Sequence, residues 1–342
     1  MRNLYFLRGA AATLFALFIT TVPVKAATID YTQLFVFGDS LSDSGNIFNL
    51  TGGTFPPSPP YFPGRFSNGP NWVDQFGAQL GLNPTLGTDP GLNPVAPPSD
   101  GINFAYGAAT SGATTIAHLA TGNPALSVLP GLTQQIQQFQ SIYAGPNTPD
   151  PDALFVLWIG GNDYLFGIND PATVLANIEN AINTLSGLGA ENFLIANLPD
   201  LGETPLAGFQ GAEGPLNAVT QVHNDGLEQL LGTLDGNFSL LDINALFKEA
   251  LADPAAFGFN NAEDAFLQTC FVNGQFVCPP GTSPNDFVYW DEVHPTTAAH
   301  RVIAGRAVDL IDVPEPSTIL LMSVGLLGLG VANRRRSRKA AR

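Results

Sequence analysis

The stretch Phe35-Val36-Phe37-Gly38-Asp39-Ser40-Leu41-Ser42-Asp43-Ser44-Gly45-Asn46 decides how this chain is read. Its three leading apolar residues read as the end of a buried strand, and a Gly-Asp-Ser turn follows at once. Such a turn lifts Ser40 out of the sheet edge, where its hydroxyl is both exposed and held. A strand-to-helix turn also leaves backbone N–H groups unpaired, and those donors can stabilise a negative oxygen. A Gly-Asp-Ser tripeptide alone is usually just a turn. Far downstream, however, Trp290-Asp291-Glu292-Val293-His294-Pro295 offers an acid and a base three residues apart. Serine in one place and Asp/His in the other make a nucleophile triad the leading reading.

Working outward, Gln33 to Phe37 reads as the first strand, Ala153 to Ile159 as another, and Phe193 to Ala196 and Phe238 to Leu241 as two more. These apolar runs are uninterrupted rather than alternating, which suits a parallel sheet covered on both faces. Helical patterns lie between and after them, at Leu132 to Tyr143, Pro171 to Leu188, Leu216 to Leu234 and Thr296 to Ile311. Pro171 after Asp170 fits a capped helix start with proline in the first turn. Strand–helix alternation of this kind implies an α/β/α layered domain. Two segments, Gly52 to Asn71 and Gly81 to Gly101, are too proline-rich for regular elements. Long irregular segments in a compact domain are functional loops or disorder. Aromatic residues in the first (Phe55, Tyr61, Phe62, Phe66, with Trp72 just beyond) favour a packed cover and a wall of the substrate cleft.

Of 342 residues, 45% are apolar, enough for one sizeable core. Arg2 and Arg8 flank an apolar run, Ala10 to Val22, that leads into Val24-Lys25-Ala26-Ala27. Charge, apolar stretch and small-residue site in that order describe a secretory signal peptide over residues 1–26, with an uncleaved anchor as the alternative. At the other end, Val313-Pro314-Glu315-Pro316-Ser317-Thr318 opens an apolar run, Ile319 to Ala332, that closes on basic residues from Arg334 to Lys339. This run is short against a hydrocarbon core of about 30 Å, and the basic cluster would hold its end in the cytoplasm. Without leader and tail, only Arg65, Lys248, Arg301 and Arg306 face nearly all of the 29 acids, a net charge of about −24. So acidic a surface argues against nucleic acid and against direct adsorption to anionic lipid.

Two cysteines lie in Cys270-Phe271-Val272-Asn273-Gly274-Gln275-Phe276-Val277-Cys278. Asn273-Gly274 is a hairpin-turn signal. An exported hairpin with a cysteine on each arm favours a Cys270–Cys278 disulfide over two free buried thiols. Neither Cys-x-x-Cys nor His-Glu-x-x-His occurs, so no metal site is expected, and no cofactor is implied.

The chain resembles the GDSL or SGNH hydrolases. Four blocks carry the resemblance in that family's order: Phe37 to Asn46, Asn103 to Ala109, Gly160-Gly161-Asn162-Asp163, and Asp291 to Pro295. Pro60 to Trp72 and Asn197 to Gly202 are also similar, so the likeness spans about residues 33 to 310. It implies a three-layer α/β/α, flavodoxin-like fold with a parallel sheet of about five strands, over residues 27–312. It implies Ser40 as nucleophile, His294 as general base and acid, and Asp291 as the group that holds the imidazole tautomer. These roles make independent physical sense, since an imidazole titrates near the working pH. For the oxyanion, the resemblance adds the backbone N–H of Ser40, the backbone N–H of Gly107 and the side-chain amide of Asn162. Asp39, Asp43 and Asp163 read as braces, and Ser111 as a loop serine outside any Gly-x-Ser-x-Gly elbow. His118, His223 and His300 read as surface or locally hydrogen-bonded residues.

Residues 313–342 resemble the PEP-CTERM sorting signal of Gram-negative bacteria, which exosortase-type enzymes cleave; a plain membrane anchor is the alternative. The expected partners are thus an ester substrate, the export machinery and an exosortase-type processing enzyme, with transient membrane anchoring through the C-terminal helix and no nucleic acid. The expected location is the cell surface or extracellular matrix of a Gram-negative bacterium. The leading function is an exported serine esterase or lipase working through an acyl-enzyme. The competing functions are a carbohydrate O-deacetylase acting on exopolysaccharide and a non-catalytic matrix protein on a hydrolase scaffold.

Overall fold

The computed structural model describes residues 30–168 and 170–311. The leader, the sorting tail and Asn169 lie outside the described residues. Six strands, all parallel, make the central sheet: β1 Gln33–Gly38, β2 Thr85–Leu86, β3 Ile102–Asn103, β4 Ala153–Trp158, β5 Asn192–Ala196 and β6 Asn237–Leu241. Their spatial order is β2-β3-β1-β4-β5-β6. Setting aside the two-residue edge strand β2, the other five run second, first, third, fourth, fifth in chain order, which is the flavodoxin-like arrangement. The expected count of about five therefore falls short by one short edge strand.

Why these runs form a doubly covered sheet follows from their side chains. Five of the six residues of β1 and all six of β4 are buried. Alternation sends Leu34, Val36, Leu154, Val156 and Trp158 to one face and Phe35, Phe37, Phe155 and Leu157 to the other. Helix Trp72–Leu80 covers the first face, with Trp72 edge-on to Trp158 at 5.8 Å. Helix Leu132–Tyr143 covers the second, where Phe139 and Tyr143 meet Phe35 at 5.4 and 5.2 Å. In register across that second face lie Phe35, Phe155, Phe193 and Phe238, with successive ring separations of 4.9, 5.7 and 5.1 Å. Each such aromatic pair contributes about 0.5–1.5 kcal/mol beyond burial.

The helices expected from periodicity are present at Leu132–Tyr143, Pro171–Gly187, Glu213–Leu231 and Thr297–Ile311. Asp170 caps the second by accepting from the Thr173 N–H. Outside the main sheet, β7 Asn261–Ala265 pairs in parallel with β10 Phe287–Tyr289, and β8 Phe271–Val272 with β9 Gln275–Phe276 forms a small hairpin. Its turn residues Asn273 and Gly274 have φ of 52° and 79°, the left-handed pair that an Asn-Gly hairpin turn requires. Cys270 and Cys278 are bonded across its base, with Cα atoms 4.6 Å apart.

Candidate active site

The site lies at the carboxyl end of β1, where the strand order reverses between β3 and β4. Open parallel sheets place their ligands at that crevice. Gly38 ends β1, and a buried glutamine pins it: Gly38 N–H donates to Gln135 Oε1 at 2.9 Å, and Gln135 Nε2 donates back to the Gly38 carbonyl at 2.8 Å. The turn that follows is organised around Asp43. Its carboxylate accepts from the N–H groups of Gly45 (2.7 Å), Asn46 (2.6 Å), Ile47 (3.1 Å) and Gly107 (2.8 Å). Burial pushes the Asp43 carboxyl up to about 6, against the pull of those four donors. Three asparagine amides complete the brace: Asn46 to the carbonyls of Asn103 and Ala105, Asn103 to that of Ser42, and Asn71 to that of Asp43. Asp39 accepts from the Leu41 N–H at 3.0 Å, and burial raises its carboxyl to about 7. Asp39 and Asp43 are the braces the sequence suggests.

Ser40 emerges from this turn against a histidine 254 residues away. His294 Nε2 lies 2.8 Å from Ser40 Oγ. His294 Nδ1 lies 2.7 Å from Asp291 Oδ2 and 2.8 Å from Oδ1. A carboxylate only accepts, so Nδ1 carries the hydrogen and Nε2 is left to accept from the serine hydroxyl. Burial opposes charge on both groups, yet their mutual attraction wins: Asp291 is held below the usual carboxylate range and His294 above the usual imidazole range. Asp291 Oδ1 also accepts from the N–H groups of Val293 (2.9 Å) and His294 (2.8 Å), so the three-residue spacing closes as one tight turn. Trp290 N–H donates to the His294 carbonyl at 2.7 Å and shuts that turn.

Asn162 reaches the same place from the carboxyl end of β4. Gly160 (φ 115°) opens the short helix Gly161–Leu165 that carries it. One hydrogen of the Asn162 amide goes to the Ala109 carbonyl at 2.9 Å. Asn162 lines both cavities that flank Ser40. Asp163, next along, is a brace: it accepts from Ser111 N–H and Oγ, both at 2.9 Å. Ser111 is thereby spent as a buried structural donor.

Gly107 differs from expectation. Its N–H donates to Asp43 Oδ2 at 2.8 Å. The need for glycine there is also different: an added Cβ would clash with the edge of the Phe66 ring. The neighbouring Ala108 has φ 65° and lines the cavity beside Ser40, and no described residue accepts its N–H. Of the two alternatives expected for the other histidines, His223 takes the locally hydrogen-bonded one, its Nδ1 lying 2.9 Å from the Tyr164 hydroxyl. His223 and His300 are fully buried, and burial lowers them to about 4 and about 3.

Two cavities share Ser40, Asn162, Leu165, Val293 and His294 in their walls. One is small, about 50 Å³, and closed by Trp158, Leu198, Leu201, Phe247 and Tyr289. The other, about 320 Å³, is walled by Phe55, Pro56, Pro57, Tyr61, Phe66 and Phe166. The proline-rich segment after Gly52 therefore forms one wall of the cleft. Among the described residues no cluster of His, Cys, Asp or Glu has a metal-holding arrangement.

The sequence model of the GDSL-like Lipase/Acylhydrolase family matches residues 34–307, and that of the PEP-CTERM protein-sorting motif matches 312–336. The chain is 29% identical to phosphatidylcholine-sterol acyltransferase of Aeromonas hydrophila, over 87% of this chain and 96% of that protein. It is 28% identical to the thermolabile hemolysin of Vibrio parahaemolyticus, over 81% of this chain and 63% of that one. Among solved structures, a lipolytic G-D-S-L family protein from Veillonella parvula is similar at TM-score 0.42 and 16% identity, covering 81% of this chain and 97% of its own. The sorting motif implies an exported, cell-surface-directed protein that an exosortase-type enzyme processes. The chain belongs to the GDSL-like lipase/acylhydrolase family and is a GDSL-type esterase/lipase.

Proposed function

We propose that this chain is an exported serine hydrolase that cleaves carboxylic esters through an acyl-enzyme on Ser40. The observation that carries the reading is the continuous relay Ser40 Oγ–His294 Nε2/Nδ1–Asp291, with links of 2.8 and 2.7 Å. In the first half-reaction, Ser40 Oγ attacks the ester carbonyl carbon while its proton passes to His294 Nε2. The imidazolium, held by Asp291, then gives that proton to the departing alkoxide, leaving the acyl group on Ser40. Water, deprotonated by the same nitrogen, attacks the acyl-enzyme, and the imidazolium returns that proton to Ser40 Oγ as the acid leaves. The tetrahedral oxyanion is met by the N–H of Ser40, the second hydrogen of Asn162 Nδ2, and the N–H of Ala108 in place of Gly107.

The leader at residues 1–26 is removed on export. The tail at 313–342 anchors the chain in the inner membrane of a Gram-negative cell until it is processed. A carbohydrate ester as substrate is the second reading. A polar cavity of about 740 Å³ favours it, lined by Asn260, Asn261, Glu263, Asp264 and Gln268 and sharing Thr204 with the small catalytic cavity. The test is a fluorophosphonate probe with peptide mapping, run beside a panel of nitrophenyl esters of rising chain length, phospholipid and acetylated polysaccharide. Labelling at Ser40 and turnover of the simple esters are expected. Labelling at Ser111 would overturn the assignment, and turnover confined to acetylated glycan would select the second reading.

A further inference from the structure

Asp291 has a fourth partner that the relay does not require. Tyr61 reaches it from the irregular segment between Gly52 and Asn71, 230 residues earlier, and its hydroxyl donates to Asp291 Oδ2 at 2.7 Å. That oxygen also receives His294 Nδ1–H, whereas Oδ1 takes the two backbone N–H groups of its own turn. The Asp291 side chain is 6% exposed, so its charge is balanced by these donors more than by solvent. Removing Tyr61 from the count leaves Oδ2 with the imidazole alone.

The ring that delivers the hydroxyl is itself held. Tyr61 meets Trp290 edge-on at 6.4 Å and Phe66 at 6.3 Å, and Phe66 lies 5.1 Å from the His294 ring. The same segment grips the neighbouring backbone: Ser67 Oγ donates to the Pro295 carbonyl at 2.8 Å, and Asn68 Oδ1 accepts from the Thr297 N–H at 2.8 Å. Burial first, then the charges of Asp291 and Glu292, keep the Tyr61 phenol protonated far above its usual range. It is thus a donor at every working pH.

We infer that Tyr61 is a positioning residue for the reaction: its hydroxyl fixes the rotamer of Asp291 and shares its negative charge, and so sets how readily His294 holds a proton. This inference rests on the reading of Ser40, His294 and Asp291 proposed above. The sign follows from electrostatics. With one donor fewer, the carboxylate concentrates more charge on the imidazole, and the imidazolium form is favoured. His294 then loses its proton at higher pH, and a larger fraction is unable to accept from Ser40 near neutrality. The other groups facing His294 are Glu292 beside it, Asp39 from the turn after β1, and His300 from helix Thr297–Ile311. Asp163 in turn faces Asp39, and Asp74 faces His300. Tyr61→Phe alters none of these and keeps the ring contacts.

The experiment measures kcat/KM for a short-chain nitrophenyl ester, and the fluorophosphonate labelling rate of Ser40, from pH 5 to 9 in wild type and Tyr61→Phe. The acid limb of both profiles should move up by about half to one pH unit in the variant. Its plateau kcat should fall several-fold with KM within twofold, at an unchanged thermal midpoint. The His294 Nδ1 proton resonance should also shift. Superimposable pH profiles in a labelled, active pair would overturn the role of Tyr61 while leaving the relay intact. A lower thermal midpoint with unmoved profiles would reduce Tyr61 to a wall residue, which also overturns it. Absence of Ser40 labelling in wild type would instead bring down the relay itself.

Discussion

The two halves of this site are built in different ways. Ser40 follows β1, inside the sheet rather than at its edge, in a turn whose carboxylate, Asp43, gathers four backbone N–H groups. Asp291 and His294 stand outside that sheet, beyond β10, which pairs only with β7 among the described strands. They are held by segments remote in sequence: Tyr61 and Ser67 from the proline-rich wall, and Leu206, whose N–H donates to the Glu292 carbonyl at 3.0 Å. A stacked cluster of Phe266 on Trp290 (5.1 Å) lies beneath, next to the disulfide-closed hairpin. The nucleophile is thus placed by the fold itself, and the base by side chains that converge late on a loop. Loss of a supporting residue in the first half should cost the fold, whereas loss of a support in the second should detune the base without removing the chemistry.

The largest effect tests whether the halves form one machine. Ser40→Ala should lower kcat by a factor on the order of 10⁴ or more, and His294→Ala by a similar amount, with neither adding to the other in the double variant. Retention of a tenth of the activity by Ser40→Ala would dissolve the comparison. Next is Asn162→Ala, on the sheet-built side. Loss of one oxyanion donor costs about 10²–10³ in kcat, some 2.7–4 kcal/mol, with KM nearly unchanged. Kinetics and thermal unfolding on one preparation decide it: lost stability with normal turnover would mean that Asn162 is only a turn residue.

A smaller effect sits on the loop-built side. Replacing both Cys270 and Cys278 by Ser should cost about 2.5 kcal/mol of stability in the chain-entropy model for so short a loop. Because the hairpin lies against the Trp290 cluster, ester turnover should be lost on warming before global unfolding. An unchanged midpoint would sink this. The smallest effect places one buried histidine on each side. His223 packs beside Gly160 and bonds Tyr164 at 2.9 Å, whereas His300 lies on the helix after His294. Their folded values of about 4 and about 3 lie below the ordinary 6.5, so the unfolded chain takes up protons first. Stability conferred by keeping them neutral is therefore present above pH 6.5 and is lost as pH falls toward 3. At pH 5 each costs about 2 kcal/mol. His300→Asn should flatten the drop in midpoint between pH 7 and pH 5, and an unaltered slope would refute the account.

The sequence shows the first half far better than the second. β1, β4 and β5 stand out as apolar runs, because strands buried on both faces leave no polar interruptions, and most of the half-exposed edge strand β6 stands out through Phe238, Leu240 and Leu241. β2 and β3, two residues each, carry no period to detect. Helix Ile243–Ala252 follows β6 after a single residue, Asp242, whose side chain caps it by accepting from the Ala245 N–H, so strand and helix run together as one apolar stretch. Helix Trp72–Leu80 is short and directly follows the proline-rich segment, with its Asn71–Asp74 capping box as its start signal. At the site, Ser40, Asp291, His294 and Asn162 announce themselves by residue type and order. What the sequence hides is which hydrogen goes where. Gly107 is a small residue at the right place, but its N–H belongs to Asp43. Tyr61 and Gln135 look like ordinary loop and helix residues, since their partners lie 230 and 97 positions away.

Those separations bear on when the chain can act. Ser40 is made near the beginning and His294 near the end, 254 residues apart, with the remaining strands of the sheet between them. Contacts so distant in sequence form only after many others, and loop closure makes them slow to arrive. A chain still leaving the ribosome, or threaded only partway across a membrane, carries its serine without a base. Ester cleavage is thus a property of the assembled domain, and its onset in a refolding or export assay marks the arrival of β10 and helix Thr297–Ile311.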